Sequence, residues 1–243
     1  MSIQRQQRIE AFPTEIRDYN IERCARMASD FFNVGDFVES TGGTTAGTIT
    51  YAAEYSTPNQ TAGVVTLEIP SNAAQATRCS IRDHGTSSTL ALGTCEFDFL
   101  CRARIAAGTP NAGDAYIRIG FFDSILARQN AGQSANGLVF ERGPAETTWR
   151  VAVWGNWDGS TGTRVRIDTG VPVSQWSTFG IWVSQDGQKA VFTVDDVVKH
   201  TVTGLPFTAA IRVGLDAHAT GTVTTAYQLK SDYLQFRYFT RRA

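Results

Sequence analysis

From Asp30 to the C-terminus, apolar and polar residues alternate in short runs, and Gly, Asn, Asp and Thr interrupt almost every run. Near the end, Leu234, Phe236 and Tyr238 fall on one side of the alternation and Tyr233, Gln235 and Arg237 on the other. A period of two is the signature of a strand with one face in a core, because successive side chains in extended backbone point opposite ways. The runs predict strands over Thr48–Glu54, Gly63–Ile69, Cys95–Ile105, Ala115–Phe122, Gly137–Glu141, Thr148–Trp154, Arg164–Asp168, Thr178–Ser184, Lys189–Asp195, Ala210–Asp216 and Ser231–Phe239. No helical segment long enough for a parallel crossover lies between them, so the expected fold is all-β, an antiparallel sandwich. Asp186-Gly187 between two such runs predicts a hairpin with a type I′ turn. No repeat of fixed period emerges, which disfavours propellers and β-helices.

Residues 1–30 differ. Arg5, Arg8, Arg17, Arg23 and Arg26 mix with Glu10, Glu15, Asp18, Glu22 and Asp30, and β-branched residues are scarce. Thr14 after Phe12-Pro13 is a candidate N-cap, and Ile16, Tyr19, Ile21, Cys24 and Met27 give a loose apolar stripe. The expected organisation is an arm over 1–30, with a short helix that docks on a partner or packs back on its own domain, then a sandwich over 31–243.

Composition narrows the function. A chain of 243 residues with 42% hydrophobic residues supports one large sandwich. A formal net charge of -1 argues against general nucleic-acid binding, which needs a basic excess. Three lysines stand against nineteen arginines, a bias compatible with charges at protein interfaces or with codon usage. No apolar run approaches the ~20 residues of a membrane span, and the first thirty residues contain no apolar leader core. The chain is therefore expected to be made in a cytoplasm. Cys24, Cys79, Cys95 and Cys101 lack the spacing of a zinc or redox motif, and reduced, buried thiols are expected. His84, His200 and His218 form no ligand pair, and the acidic turns match no calcium loop, so neither metal nor cofactor is expected.

Trp176, the Asp186-Gly187 hairpin, Val191-Phe192-Thr193-Val194-Asp195-Asp196, Gly204-Leu205-Pro206 and Asp232-Tyr233-Leu234-Gln235-Phe236 together resemble the concanavalin A-like lectin/glucanase superfamily over residues 90–240. That family usually has Gly where this chain has Asp196, which implies a looser second turn. The resemblance implies a jelly roll. In its Gly/Thr-rich form it is similar to structural proteins of tailed bacteriophages, which implies assembly with other virion proteins, homo-oligomerisation and in some cases glycan contact.

Glu96-Phe97-Asp98-Phe99-Leu100-Cys101 resembles the E-x-D-x-x-E strand of retaining glucanases, with Cys101 where the acid/base glutamate would stand. Two-carboxylate hydrolysis needs both carboxyl groups, so Glu96 and Asp98 read as a polar pair answered by Arg102 and Arg104 on the same strand face. Trp154, Asn156, Trp157 and Asp158 place aromatic rings beside amide and carboxylate groups, a combination suited to sugar rings and equally to a covered sandwich end. The expected function is a non-enzymatic virion component, capsid decoration or tail, located in the virion. The alternatives are a lectin-like module for host glycans and a divergent glycoside hydrolase using Glu96.

Overall fold

A computed structural model describes residues 24–29, 37–42, 46–55, 60–74, 77–83, 90–107, 115–123, 136–155, 163–206 and 210–239. Among these residues every regular element is a strand, numbered here in chain order. One sheet runs β14 (Val197–Thr203), β13 (Lys189–Val194), β12 (Ser177–Val183), β7 (Glu96–Ala107), β16 (Tyr227–Phe239), β4 (Gln60–Ile69) and β3 (Thr48–Tyr55), with β1 (Cys24–Ser29) pairing β16. The other runs β11 (Thr163–Pro172), β10 (Thr148–Gly155), β9 (Gly137–Arg142), β8 (Ala115–Phe122), β15 (Ala210–Ala219), β5 (Arg78–Asp83) and β2 (Phe37–Gly42), with β6 (Leu90–Ala91) pairing β15. All pairings are antiparallel.

The alternation in the sequence becomes the core. Phe97, Phe99 and Cys101 of β7, Ile117, Ile119 and Phe121 of β8, and Leu234 and Phe236 of β16 meet between the sheets. Phe97 and Phe121 pack edge-on at 5.0 Å between ring centroids, and Phe140 of β9 lies 4.9 Å from Phe179 of β12. Such aromatic pairs contribute about 0.5–1.5 kcal/mol each beyond the area they bury. Cys79, Cys95 and Cys101 are free and buried, as the spacing argument expects.

Three local expectations are corrected. Cys24 and Met27, the last two residues of the apolar stripe expected on a helix, lie in strand β1, with Met27 opposite Phe236. β4 pairs β16 only over Tyr227–Ser231, and β1 fills the edge beside residues 234–239. An unpaired sheet edge is a stronger demand than a weak 3.6-residue periodicity. The rest of the expected helix lies outside the described residues.

The other two are turns. In the Asp186 hairpin, Ser184 donates its N–H to Lys189 at 2.9 Å, and only Gly187 of the loop has positive φ (67°), so this is a longer loop and not a two-residue I′ turn. Asp186 Oδ1 accepts from the Gln188 N–H at 3.0 Å and sets that geometry. The Asp195-Asp196 turn, expected to be loose, is the tight one. Val194 pairs directly with Val197, and both aspartates adopt left-handed φ, 49° and 66°.

Candidate functional site

The strand carrying Glu96 pairs β12 without a bulge from Ser177↔Ala103 to Val183↔Phe97. In unbroken extended backbone, positions five apart point to opposite faces. Cys101 accordingly lies in the core, 0% exposed, with Sγ 3.2 Å from Ser231 Oγ, while Glu96 and Asp98 lie on the outer face. Burial pushes the Cys101 thiol up to about 12. The sixth position of this motif is therefore turned away from the first and third, whatever residue occupies it.

Both carboxylates are engaged. Glu96 Oε1 accepts from the Trp182 indole N–H at 2.7 Å, and Asp98, fully buried, takes both Nε and a terminal nitrogen of Arg237. Burial raises the Asp98 pKa against the opposing pull of Arg237. The expected same-strand partners are corrected: Arg102 reaches Asp232 at 3.4 Å, and the Arg102 and Arg104 guanidinium groups lie 5.7 and 5.0 Å from the Trp176 ring centroid. Residues four apart on a strand are ~13 Å apart, whereas direct cross-strand neighbours have Cβ atoms ~5 Å apart. Arg237 stands directly opposite Asp98.

Trp154 does not offer a ring to a ligand. It is 1% exposed, clustered with Phe122, Val139 and Ala152 on the outer face of the second sheet. Its ring lies against Gly137, where a Cβ would come within 2.3 Å, and the Arg118 guanidinium sits 5.3 Å from its centroid. Of the two readings of Trp154, a covering ring fits and glycan contact does not, because a neighbouring glycine lets the ring lie flat on the sheet. Asn156, Trp157 and Asp158 lie outside the described residues.

The same outer face carries an arrangement that no single segment of sequence announces. Asp216, Arg118, Glu141, Arg150 and Asp168 are direct register partners across β15, β8, β9, β10 and β11, and their charges alternate in sign. Arg118 Nε is 2.9 Å from Glu141 Oε2, and its Nη1 is 3.9 Å from Asp216 Oδ2. Glu141 is shared with Arg166 at 2.9 Å, and Glu146 bridges Arg166 at 2.7 Å and Arg150 at 2.6 Å. Glu141 is wholly buried and Arg118 3% exposed, whereas Arg150 and Asp168 reach 29% and 49% at the far end. Burial opposes the charge on Arg166, but Glu141 and Glu146 outweigh it and hold the group above its ordinary value. Asp168 is held below the usual carboxylate range, first by the Gly170 N–H.

Beside this row, His218 Nδ1 lies 3.0 Å from Asp216 Oδ2, and the His218 ring stacks on Tyr116 at 5.5 Å and 17°. Arg118 in turn lies 5.1 Å from the Tyr116 centroid. Buried charges persist only when paired, and here the pairing locks each side chain in a fixed orientation. The sequence does hold a signal for this site: single charges inside otherwise apolar strands, as in Ile117-Arg118-Ile119 and Phe140-Glu141. Each charge sits on a different strand, so no motif along the sequence gathers them.

No family model matches the chain, and no curated protein matches it in sequence. Solved structures match it in fold. The carbohydrate recognition domain of Emp47p superposes with TM-score 0.57 at 14% identity, over 92% of this chain and 100% of that one. An endo-1,3-β-glucanase from Streptomyces sioyaensis gives 0.58 at 14%, over 92% and 99%. The Crh5 transglycosylase in complex with NAG gives 0.55 at 13%, over 89% and 84%. The fold is the concanavalin A-like jelly roll.

Two expectations change with these likenesses. The chain was expected not to be an enzyme, yet a glucanase and a transglycosylase carry the same fold, so an incomplete E-x-D-x-x-E strand does not set this chain apart from enzymes. The virion role draws no support from them, while the carbohydrate-binding alternative fits the company the fold keeps.

Proposed function

We propose that this chain is a carbohydrate-binding domain whose ligand lies along the outer face of the second sheet. The observation that carries the reading is the five-residue row from Asp216 to Asp168, buried at one end and open to solvent at the other. Charged groups already oriented by their neighbours make short, directional hydrogen bonds, and a sugar ring presents hydroxyls that both donate and accept. Tyr116, half-buried at the edge of the row, adds an aromatic face beside those polar groups. The row has nearly equal numbers of each sign, which suits a neutral glycan better than a phosphate-bearing chain. Similarity in fold to a carbohydrate recognition domain, a glucanase and a transglycosylase supports the same reading.

The test is binding of the full chain to an oligosaccharide array, followed by calorimetry on the best hits. Arg150→Ala and Tyr116→Ala are expected to weaken binding about tenfold or more, the loss of one or two good contacts, with thermal midpoints close to the parent. A parent protein that binds no oligosaccharide at millimolar concentration overturns the reading.

A further inference from the structure

Asp216 and His218, joined through Oδ2 and Nδ1, each keep one buried side-chain atom without a hydrogen-bond partner. Asp216 Oδ2 is engaged by His218 Nδ1 at 3.0 Å and approached by Arg118 at 3.9 Å, but Asp216 Oδ1 has no hydrogen-bond partner. His218 Nε2 has none either, and both residues are only 6% exposed. Buried polar atoms are paired in the great majority of cases, so two orphans on adjoining side chains call for a cause. With the imidazole proton on Nδ1 facing the carboxylate and none on Nε2, the Nε2 lone pair is free to accept. In that tautomer the groups that would complete both atoms are donors.

We infer that Asp216 Oδ1 and His218 Nε2 accept hydrogen bonds from two hydroxyl groups of a glycan, which makes this pair the anchor of the binding face. The inference rests on the carbohydrate-binding reading and deepens it. A divalent cation is the chemical rival, since both atoms are also ligands. Among the described residues no group of three or more His, Cys, Asp or Glu side chains gathers to hold one. Two ligands leave a cation mostly unsatisfied, whereas two acceptors are all that a pair of hydroxyls needs. Arg118 keeps its other contacts to Glu141 and fixes the Asp216 carboxylate from the far side. Both orphan atoms are closed to solvent, so ligand entry requires the side chains that cover them to move.

The experiment combines ligand deletion with protein mutation. Oligosaccharides that bind the parent are compared with their singly deoxygenated forms, against the parent and His218→Phe, which keeps a ring to stack on Tyr116 but offers no nitrogen. Two of the deoxy ligands are expected to bind the parent about tenfold more weakly, the effect of one lost hydrogen bond, and at least one of them to bind His218→Phe no worse than the intact sugar does. In parallel, ¹⁵N spectra of the parent should show His218 as the Nδ1–H tautomer, with the Nε2 signal moving on sugar addition. That readout stands even if His218→Phe fails to fold. If the parent binds sugars but no deoxy ligand is penalised and the Nε2 signal stays put, the anchor is wrong and the wider reading survives. A shift of Nε2 on addition of Zn²⁺ or Ca²⁺ alone, with sugar binding abolished by chelator, also overturns it in favour of a metal. Absence of any sugar binding by the parent removes both.

Discussion

Arg118 and Glu141 stand opposite one another on β8 and β9, Nε 2.9 Å from Oε2, on a sheet face that points away from the main core, and both side chains are nonetheless closed to water. Glu141 also meets Arg166, so one carboxylate is shared by two guanidinium groups. Removing one partner of a buried pair leaves an uncompensated charge, which costs about 3–5 kcal/mol, whereas replacing both with apolar residues is often neutral. Glu141→Gln is therefore expected to lower stability by about that amount in urea unfolding, and Arg118→Met/Glu141→Leu to recover most of it. Equal stability of Glu141→Gln and parent would mean that the row is solvated.

The Asp98–Arg237 pair allows the same reasoning on the other sheet. Asp98 is fully buried and Arg237 is its cross-strand neighbour, so Arg237→Met should strand the carboxylate and cost several kcal/mol. Arg102, 23% exposed and 3.4 Å from Asp232, should matter far less, about 0–1 kcal/mol for Arg102→Met. Chemical denaturation of the two variants separates the cross-strand arrangement from a same-strand one, which predicts the reverse order.

What could be read from the chain, and what could not, divides along sequence distance. Alternation in Tyr233–Tyr238 and in the β7 residues is local, so strands and inward faces followed directly from it. Arg78, Arg82 and Asp83 in six residues mask the alternation of β5, and β14 gives no apolar pattern because its side chains are largely exposed. The site depends on register, the alignment of β15, β8, β9, β10 and β11, and no local pattern specifies which charge meets which. Trp154 shows the same limit: its burial depends on Gly137, seventeen positions earlier but next to it across the sheet.

The Asp195-Asp196 turn gives a backbone test. Asp196 has φ of 66°, which glycine adopts freely and β-branched residues resist. Asp196→Gly should leave stability unchanged or slightly higher, and Asp196→Val should cost about 1–2 kcal/mol. Asp195 is the less replaceable of the two, since its Oδ1 accepts from the Thr178 N–H at 2.8 Å and ties the turn to β12. Thermal midpoints of the two variants decide the matter, and a well-tolerated valine would mean the turn is open in solution.

Cys101 tests the direction of β7 most severely. Restoring a carboxylate with Cys101→Glu completes the E-x-D-x-x-E pattern on paper, but the position faces the core, so the expected outcome is a large loss of folded protein and no gain of glucanase activity. A folded variant that hydrolyses glucan would show that β7 carries a bulge at this point. The parent supplies an independent check through pH. Burial raises the thiol from 9.0 to about 12, so the group stays protonated in the folded chain after it has ionised in the unfolded one. Its contribution to stability is then complete below pH 9 and is lost as pH rises from there to about 12, since the unfolded state binds fewer protons across that window. Urea midpoints should fall between pH 8.5 and 10.5, and iodoacetamide at pH 8.5 should leave Cys101 unmodified until the chain is unfolded. Alkylation of the folded protein at the rate of a free thiol would place Cys101 on the outer face with Glu96.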